Sequence, residues 1–371
     1  MDFSLSEEQE MLRKSARDFF NNELPKSLVK EMAEDAKGYP PELWKKMADL
    51  GWMGLVLPEQ YDGSEGSFLD LAILLEEMGR ACLPGPFFST VMLGAMTLLE
   101  AGGEEQKKQL LPKIANGQLI ITLAIAEPEA INSPNLLKAE AKAEGDGYII
   151  NGTKLFVLDA HVADYIICAA KTGGGITLFL VDTKSPGLSI TPLSTIGGDK
   201  QCEVTFQGVK VGKGDILGEV DQGWKHIEKV LAKAAVARCA EMLGGAQQVL
   251  EMTIDYAKER VQFGKPIGSF QAVQHHCSNM AINVEGCRVV TYQAAWMLSQ
   301  GLPCTKEIAI AKAWVNEAFR KVTALGHQVH GAIAWQQDHD MHLYIKLSNL
   351  GQFTFGDTRY QEEIVASELG L

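Results

Sequence analysis

A short segment that follows a long helical pattern carries residue types able to bind a phosphorylated, planar ligand. It runs from Arg260 to Gln271 and contains the sequence RVQFGKPIGSFQ. Arg260 offers a rigid fork of donors that matches a pyrophosphate. Phe263 offers a flat apolar surface for the edge of an adenine or flavin ring, and Gly264 allows close approach of the backbone. Alternatively, these residues form a helix C-terminus with a glycine stop and an arginine that interacts with the helix dipole.

Two pairs of histidines have residue types that bind metals, namely His275 with His276 and His339 with His342. Neither pair is followed by a third and fourth ligand at a convincing spacing. We therefore predict no metal site and place these histidines on the surface or at an interface. The three glycines at 173–175 lack the strand-to-helix transition and the following lysine of a phosphate-binding loop, so we predict a hairpin turn there.

The elements that must position these residues fall into three parts. Residues 1–118 show apolar residues at helical spacing, with capping signals at Ser6 and Ser67, and predict an N-terminal α-helical domain. Residues 119–221 change to short β-rich runs with frequent turns. They predict a middle domain of antiparallel strands, either a β-barrel or a sandwich. Residues 222–371 return to long helical patterns and predict a C-terminal four-helix bundle.

Finer boundaries are predicted in the last two parts. In the middle part, a turn is expected at Gly145-Asp146-Gly147 and a hairpin at Asn151-Gly152, which is the strongest short hairpin signal in the chain. The four long helices of the last part are expected at 224–261, 270–300, 305–329 and 345–369.

Composition excludes several classes of protein. The chain has 371 residues, 46% hydrophobic and 22% charged, which is typical of globular proteins. A net charge of -13 disfavours nucleic acid as a partner. No apolar run reaches the roughly 18 residues of a membrane helix, and the first residues lack the pattern of a signal peptide. Seven scattered cysteines without a CxxC pair predict reduced thiols in a cytoplasmic protein.

The segment from Arg260 resembles the arginine–phenylalanine–glycine motif of the acyl-CoA dehydrogenases, and the resemblance extends over essentially the whole chain. Residues 124–130 (AIAEPEA) are similar to the family's threonine–glutamate–proline segment beside the flavin. Residues 146–158 (DGYIINGTKLFVL) are similar to its β-hairpin, which ends in tryptophan–isoleucine–threonine. Residues 328–335 (QVHGAIAW) are similar to its glutamine–glycine–glycine stretch, which in the family reaches the FAD of a neighbouring subunit.

This resemblance implies the three-domain acyl-CoA dehydrogenase fold with FAD as the cofactor. It also implies oxidation of an acyl-CoA thioester to a 2-enoyl-CoA, electron transfer to an electron-transfer flavoprotein, and a homo- or heterotetramer with a homologous subunit. The residues that it assigns to FAD binding are Ile125, Ala126, Phe156, Leu158, Arg260, Phe263, Gln271, Gln328 and Gly331.

Several of these positions depart from the family pattern. Ala126 and Leu158 stand where hydroxyl side chains bond the isoalloxazine, and Phe156 replaces a tryptophan but retains a ring that can stack. Residues 131–133 (INS) stand where glycine–serine–aspartate is usual near the substrate, and alanines at 332 and 334 replace two glycines. Each lost hydrogen bond is expected to weaken FAD binding by about 1 kcal/mol.

The family's chemistry needs a carboxylate that removes the α-proton while the β-hydrogen leaves as hydride to the flavin. Phe355 falls at the usual base position, and Ala234 falls at the alternative position on the first helix of the bundle. Asp357 would act as the base if its loop were shifted, or it would instead cap the last helix. Glu241 shares a helix face with Ala234 but lies ~10 Å further along the axis, which favours a structural role.

Three hypotheses follow from these residues. The first is an active acyl-CoA dehydrogenase that uses Asp357 or another unusual base. The second is a non-catalytic subunit that pairs with a homologous chain carrying the complete site. The third is a flavin oxidase or monooxygenase on the same fold, which would react with oxygen instead of an electron-transfer flavoprotein.

Overall fold

A computed structural model of the protein describes residues 4–129 and 134–371, and the chain divides into two compact units. The first unit comprises Met1–Glu31, Ser67–Leu83 and Ala235–Leu371, and the second comprises Met32–Gly66 and Pro84–Ala234. None of the helices in the described ranges is long and apolar enough to cross a membrane. All seven cysteines are free thiols.

The α-helices have the following bounds in chain order. They are α1 (Glu7–Glu23), α2 (Lys26–Glu34), α3 (Pro41–Asp49), α4 (Phe68–Ala81), α5 (Met96–Ala101), α6 (Glu104–Ala115), α7 (Gly223–Glu259), α8 (Gln271–Ser299), α9 (Thr305–His330), α10 (Met341–Phe353) and α11 (Thr358–Glu368).

The β-strands have the following bounds. They are β1 (Ile121–Ala124), β2 (Glu140–Glu144), β3 (Gly147–Leu158), β4 (Tyr165–Lys171), β5 (Ile176–Asp182), β6 (Leu188–Leu193), β7 (Gln201–Gly212), β8 (Ile216–Leu217), β9 (Val261–Gln262) and β10 (Lys265–Pro266).

Two helices begin at the residues that the sequence predicts. The Ser6 hydroxyl accepts from the Gln9 N–H, and the Gln9 side chain accepts from the Ser6 N–H, so α1 opens with a capping box. Ser67 and Asp70 form the same arrangement at the start of α4. Both pairs satisfy N–H groups that a helix terminus otherwise leaves without partners.

The middle sheet lies in the second unit, with strand order β6-β7-β3-β2-β4-β5-β8 and β1 beside β4. Antiparallel pairing is confirmed for most neighbours, whereas β1 and β2 run parallel to β4. The purely antiparallel prediction is therefore wrong at β4, because the chain enters β1 directly from α6 without a hairpin. Alternate residues such as Ile150, Phe179 and Val204 point into one buried apolar core.

The hairpin predicted at Asn151-Gly152 is wrong, because both residues lie inside β3. The tight turn is instead at Gly145-Asp146, between β2 and β3. Asn151 sits at a register shift against β7 and accepts a hydrogen bond from the Gly208 N–H at 2.8 Å. A side chain at position 152 would begin 2.6 Å from Ala139, so Gly152 permits close strand packing.

In the first unit, α4 and α7 pack backbone against backbone. A Cβ added to Gly244 would lie 1.8 Å from the Glu76 carbonyl oxygen. The Glu76 carboxylate in turn binds the Arg288 guanidinium at 3.0 Å and the Tyr292 hydroxyl at 2.5 Å, which attaches α8 to α4. The long helix predicted at 345–369 is wrong as one element, because it divides into α10 and α11.

We expect Gly244→Ala to destabilise the protein although alanine favours helices, because the added methyl group would overlap the α4 backbone. Overpacking of this kind costs about 1–3 kcal/mol, which exceeds the ~1 kcal/mol gain in helix propensity. Denaturant unfolding would measure the loss. Gly214→Ala is the control, since nothing lies within 4 Å of its added Cβ. Equal stability of the two variants would contradict the close contact.

Candidate active site and FAD-binding surfaces

The second unit carries an aromatic ring that a β-bulge directs outward. Val157 and Leu158 pair with Cys202 and Gln201 of β7, but the register shifts between Lys154 and Val157. Phe156 lies inside this shift, with a φ of 56° and about half of its surface exposed. Bulges commonly redirect side chains beside functional sites, so the ring is available to stack on a flat ligand.

Two hydrogen bonds bring together the four residues that the family resemblance places at the flavin in this unit. The Leu155 N–H donates to the Ala126 carbonyl at 2.9 Å, which joins the segment Ile125–Ala126 to the bulge at Phe156. The Thr122 hydroxyl donates to the Leu158 carbonyl at 2.7 Å. This hydroxyl is therefore engaged and does not replace those missing from Ala126 and Leu158.

A buried ion pair anchors the same segment, and the sequence alone gave no signal for it. Lys154 Nζ lies 2.6 Å from Glu127 Oε1 and donates to the Ile125 carbonyl at 3.1 Å. Glu127 also accepts from the Lys138 and Ala139 N–H groups. Both charges are thus compensated, as buried charges must be. The substitution predicted near the substrate at 131–133 lies outside the described residues.

In the first unit, the segment from Arg260 forms a small hairpin. Helix α7 ends at Glu259, and β9 and β10 pair around Phe263 and Gly264. These two turn residues have φ values of 52° and 78°, the pattern of a type I′ turn. The alternative of Gly264 as a helix stop is therefore wrong. Arg260 is exposed, and Phe263 is 93% exposed, so both are available to a partner or ligand.

The segment around Gln328 and Gly331 lies beside the end of α7. The Tyr256 ring stacks on the His330 ring at 4.5 Å, which brings the two motif segments together. Gln328 is exposed, and nothing lies within 4 Å of a Cβ added to Gly331, whose φ is 67°. Gln271 is exposed at the start of α8. The residues that the resemblance assigns to FAD binding in this unit are thus all accessible, namely Arg260, Phe263, Gln271, Gln328 and Gly331.

The bend between α10 and α11 contains Phe355, the residue that the family resemblance places at the usual base position. Phe355 has a φ of 59°, and its ring lies 5.8 Å from the Arg238 guanidinium carbon. A buried lysine that the sequence analysis missed supports this bend. Lys312 Nζ donates to Asn316 Oδ1 at 2.6 Å and to the Gly351 carbonyl at 2.7 Å. Burial lowers the pKa of Lys312 to about 8.

Both carboxylates proposed as substitutes for the base have structural partners. Asp357 is exposed and caps α11, because its Oδ1 accepts from the Tyr360 N–H at 2.8 Å. Glu241 binds Arg238 within α7, and burial raises the pKa of Glu241 while Arg238 opposes that rise. At Ala234, the alternative base position, the side chain is an entirely buried methyl group.

The chain matches the N-terminal, middle and C-terminal domain models of acyl-CoA dehydrogenase at residues 6–118, 122–209 and 221–370. It belongs to the acyl-CoA dehydrogenase family. The probable acyl-CoA dehydrogenase YngJ of Bacillus subtilis is 32% identical over the full length of both chains. Subunit CarC of the caffeyl-CoA reductase–Etf complex of Acetobacterium woodii is 31% identical over 98% of each chain.

Solved structures of the family confirm the three-domain fold. The ChsE4–ChsE5 complex of Mycobacterium tuberculosis contains a chain with a TM-score of 0.92 and 28% identity, covering 100% of this chain and 99% of that one. The FAD complex of PigA gives a TM-score of 0.93 and 28% identity over 100% of both chains. FAD is therefore the cofactor that the family supports.

The residues of this chain fit FAD unevenly. In the first unit, Arg260, Phe263 and Gly331 are exposed and suit the pyrophosphate and adenosine. In the second unit, Phe156 provides a surface for stacking, but Ala126 and Leu158 provide no side-chain donor for the isoalloxazine. The accessible residues thus favour the adenosine end of the cofactor over its reactive ring.

We expect Asp357→Ala to lower the stability of the protein by about 1 kcal/mol, because α11 loses its cap, while Asp357→Asn retains most of it. Thermal unfolding of both variants would measure this difference. Asparagine caps a helix but cannot accept the α-proton, so this pair of variants separates a cap from a base. Flavin reduction by acyl-CoA that Asp357→Asn abolished would contradict the structural role.

Proposed function

We propose that this chain is a subunit of a hetero-oligomeric acyl-CoA dehydrogenase in which a homologous chain supplies the catalytic base. The observation that carries the proposal is the state of the base positions. Phe355 and Ala234 are apolar, Asp357 caps α11, and Glu241 is paired with Arg238. A general base must be unpaired to accept the α-proton, so none of these residues meets the requirement.

This chain would contribute to FAD binding rather than to proton transfer. When bound, FAD accepts the hydride in this family's reaction. Arg260 would neutralise the pyrophosphate and Phe263 would cover a ring, while Gln271, Gln328 and Gly331 would contact the remaining polar atoms. Their exposure in the first unit supports contact with a cofactor held by a neighbouring subunit. Electrons would then pass to an electron-transfer flavoprotein, as the similarity to CarC supports.

A second surface of the first unit fits a homologous partner. Ile282, Val289 and Trp296 recur every seven residues along α8, and each is exposed. The exposed Trp314 of α9 lies against α8 at Gly286. This α8–α9 face therefore combines two tryptophans with aliphatic side chains, which is the composition of an interface centre.

The small number of charged residues in α8 also favours burial of this face in an interface. Its 29 residues include two that are charged, Glu285 and Arg288, whereas 22% of the whole chain is charged. Arg288 is already paired with Glu76. Depletion of charge is the mark of an interface core, and the similarity to a chain of the ChsE4–ChsE5 complex supports assembly with a second subunit.

We expect the isolated chain, supplied with FAD, to show no bleaching of flavin absorbance with a panel of saturated acyl-CoAs. The complex with its homologous partner should bleach.

Within that complex, Phe355→Ala should leave turnover unchanged, because position 355 supplies no base. Arg260→Ala should lower the FAD content, because a pyrophosphate contact worth about 1.5–3 kcal/mol is lost.

Bleaching of the isolated wild-type chain, followed by loss of bleaching in Asp357→Asn, would instead establish an active dehydrogenase with Asp357 as its base. Substrate-dependent oxygen uptake by the flavin-loaded chain would establish the oxidase or monooxygenase. The prolyl acyl carrier protein oxidase AnaB, with a TM-score of 0.92 and 26% identity over 99% of this chain and 100% of that one, supports this third hypothesis.

We expect the double variant Ile282→Glu/Val289→Glu to dissociate the complex, because two carboxylates would have to be buried without partners. Light scattering coupled to size-exclusion chromatography would measure the mass. Ser367→Glu adds the same type of charge at an exposed position of α11 and is the matched control. An unchanged mass in the double variant would exclude the α8–α9 face as the interface.

A further inference from the structure

Four histidines of the first unit gather around the segment that joins α9 to α10. This histidine cluster consists of His327, His330, His339 and His342. The rings of His330 and His339 are 5.1 Å apart, and the His327 ring is 4.9 Å from that of Trp335. His342 Nδ1 lies 2.6 Å from the His339 carbonyl oxygen. The cluster thus contacts both ends and the middle of the segment.

Hydrogen bonding fixes where three of these rings carry their proton. His327 Nδ1 lies 2.9 Å from the Thr323 carbonyl, and His330 Nδ1 lies 2.8 Å from the Gly326 carbonyl. A carbonyl oxygen only accepts, so Nδ1 is the donor in these rings and in His342. Nε2 of the neutral ring then carries no proton. In His327 this atom is buried without a hydrogen-bond partner.

His339 has the opposite arrangement. Its Nδ1 lies 3.2 Å from the backbone nitrogen of Met341, which donates as the first N–H of α10. Nδ1 must therefore be unprotonated, and the ring acts as a cap for this helix. A proton at Nδ1 would remove the acceptor. It would also place a positive charge at the helix N-terminus, where the dipole is already positive.

One carboxylate, Asp340, favours protonation of His339 and His342, but the cations around the cluster oppose it. Asp340 is already paired with Lys30 of α2 at 2.9 Å, and Lys30 also donates to the Asp338 carbonyl. Lys346 of α10 adds a second cation near His342, and α7 contributes the Tyr256 ring against His330. Burial, the largest cause, lowers the pKa values of His330, His339 and His342 from their ordinary value of 6.5.

We propose that the histidine cluster is a proton-operated latch on the segment Gly331–Asp340. Neutral rings hold the segment closed between α9 and α10, and protonation of His339 together with its neighbours opens it. The segment carries Gly331 and the exposed Trp335. If the proposed function holds, opening would withdraw these residues from the FAD of the partner chain, but the latch itself does not depend on that role.

The direction of the effect follows from linkage. The cluster histidines would titrate near 6.5 when the segment is open, and His330, His339 and His342 titrate below that value when it is closed. The open form therefore binds more protons as the pH falls through 6.5, and acid favours it. The closed form is fully favoured above that value. A difference of one pKa unit at one ring corresponds to a tenfold change in the opening equilibrium.

Hydrogen exchange of the full-length chain at pH 7.5 and 5.5, corrected for intrinsic exchange rates, tests the latch without FAD or a partner. We expect amides of residues 331–343 to lose about tenfold or more protection at pH 5.5, while the α8 amides do not. His339→Asn retains an acceptor for the Met341 N–H but takes no proton. It should stay protected at pH 7.5 and lose most of the pH response.

His275→Asn is the matched control, since His275 is exposed on α8 outside the cluster, and it should respond like the wild type. Nuclear magnetic resonance titration of the ring protons gives a second measurement that does not depend on the stability of any variant. Wild-type pKa values at or above 6.5 for His330, His339 and His342 would overturn the proposal. So would an equal pH response of exchange in wild type and His339→Asn.

Discussion

The site positions of this protein depend on a backbone that holds three phenylalanines in the left-handed region. Phe156, Phe263 and Phe355 have φ values between 52° and 59°. Such conformations cost about 1–3 kcal/mol each in a residue other than glycine and persist where the surroundings enforce them. A bulge in β3, a two-residue turn after α7 and the bend supported by Lys312 enforce them here. Local structure in each unit therefore holds the backbone at these three positions.

The contacts that hold the backbone at positions 126 and 355 are made by residues other than these two. The bend at Phe355 is held by contacts of Lys312 and Asn316 with the backbone carbonyls of Gly351 and Gly356, and these contacts do not use the side chain of residue 355. The Glu127–Lys154 pair likewise fixes the segment at Ala126 without using the side chain of residue 126. The fold at both places is thus held by atoms other than the side chains at positions 126 and 355.

Local features of the fold could be predicted from the sequence, and long-range ones could not. The capping boxes at Ser6 and Ser67, and the cap at Asp357, depend on residues within four positions of each other. Asn151-Gly152 misled the prediction because a register shift against β7, a distant strand, makes it a bulge instead of a turn. The Asn-Gly dipeptide favours a tight turn on its own, but its pairing with the partner strand determines whether it forms a turn or a bulge.

The same distinction applies to the site. The motif at Arg260 was recognisable, but the turn formed by Phe263 and Gly264 was not, because phenylalanine is a rare residue at positive φ. Lys312 gave no signal, since its acceptors at Gly351 and Asn316 meet only in the folded chain. The roles of Asp357 and Glu241 were left open by the sequence. Their partners, Tyr360 and Arg238, are both local, but the choice between base and scaffold required geometry.

Exposure and charge together give the strongest argument for a partner. A chain with a net charge of -13 would repel a second copy of itself at most surfaces, yet α8 presents aliphatic side chains and a tryptophan with little charge. Phe263 and Trp335 add two aromatic rings exposed by 93% and 72%. Trp335 lies in the stretch that, by the family resemblance, is expected to reach the FAD of a neighbouring subunit. Large exposed aromatic rings are costly in water unless another surface covers them. Under the proposed function, a homologous chain would cover these rings and supply the catalytic carboxylate.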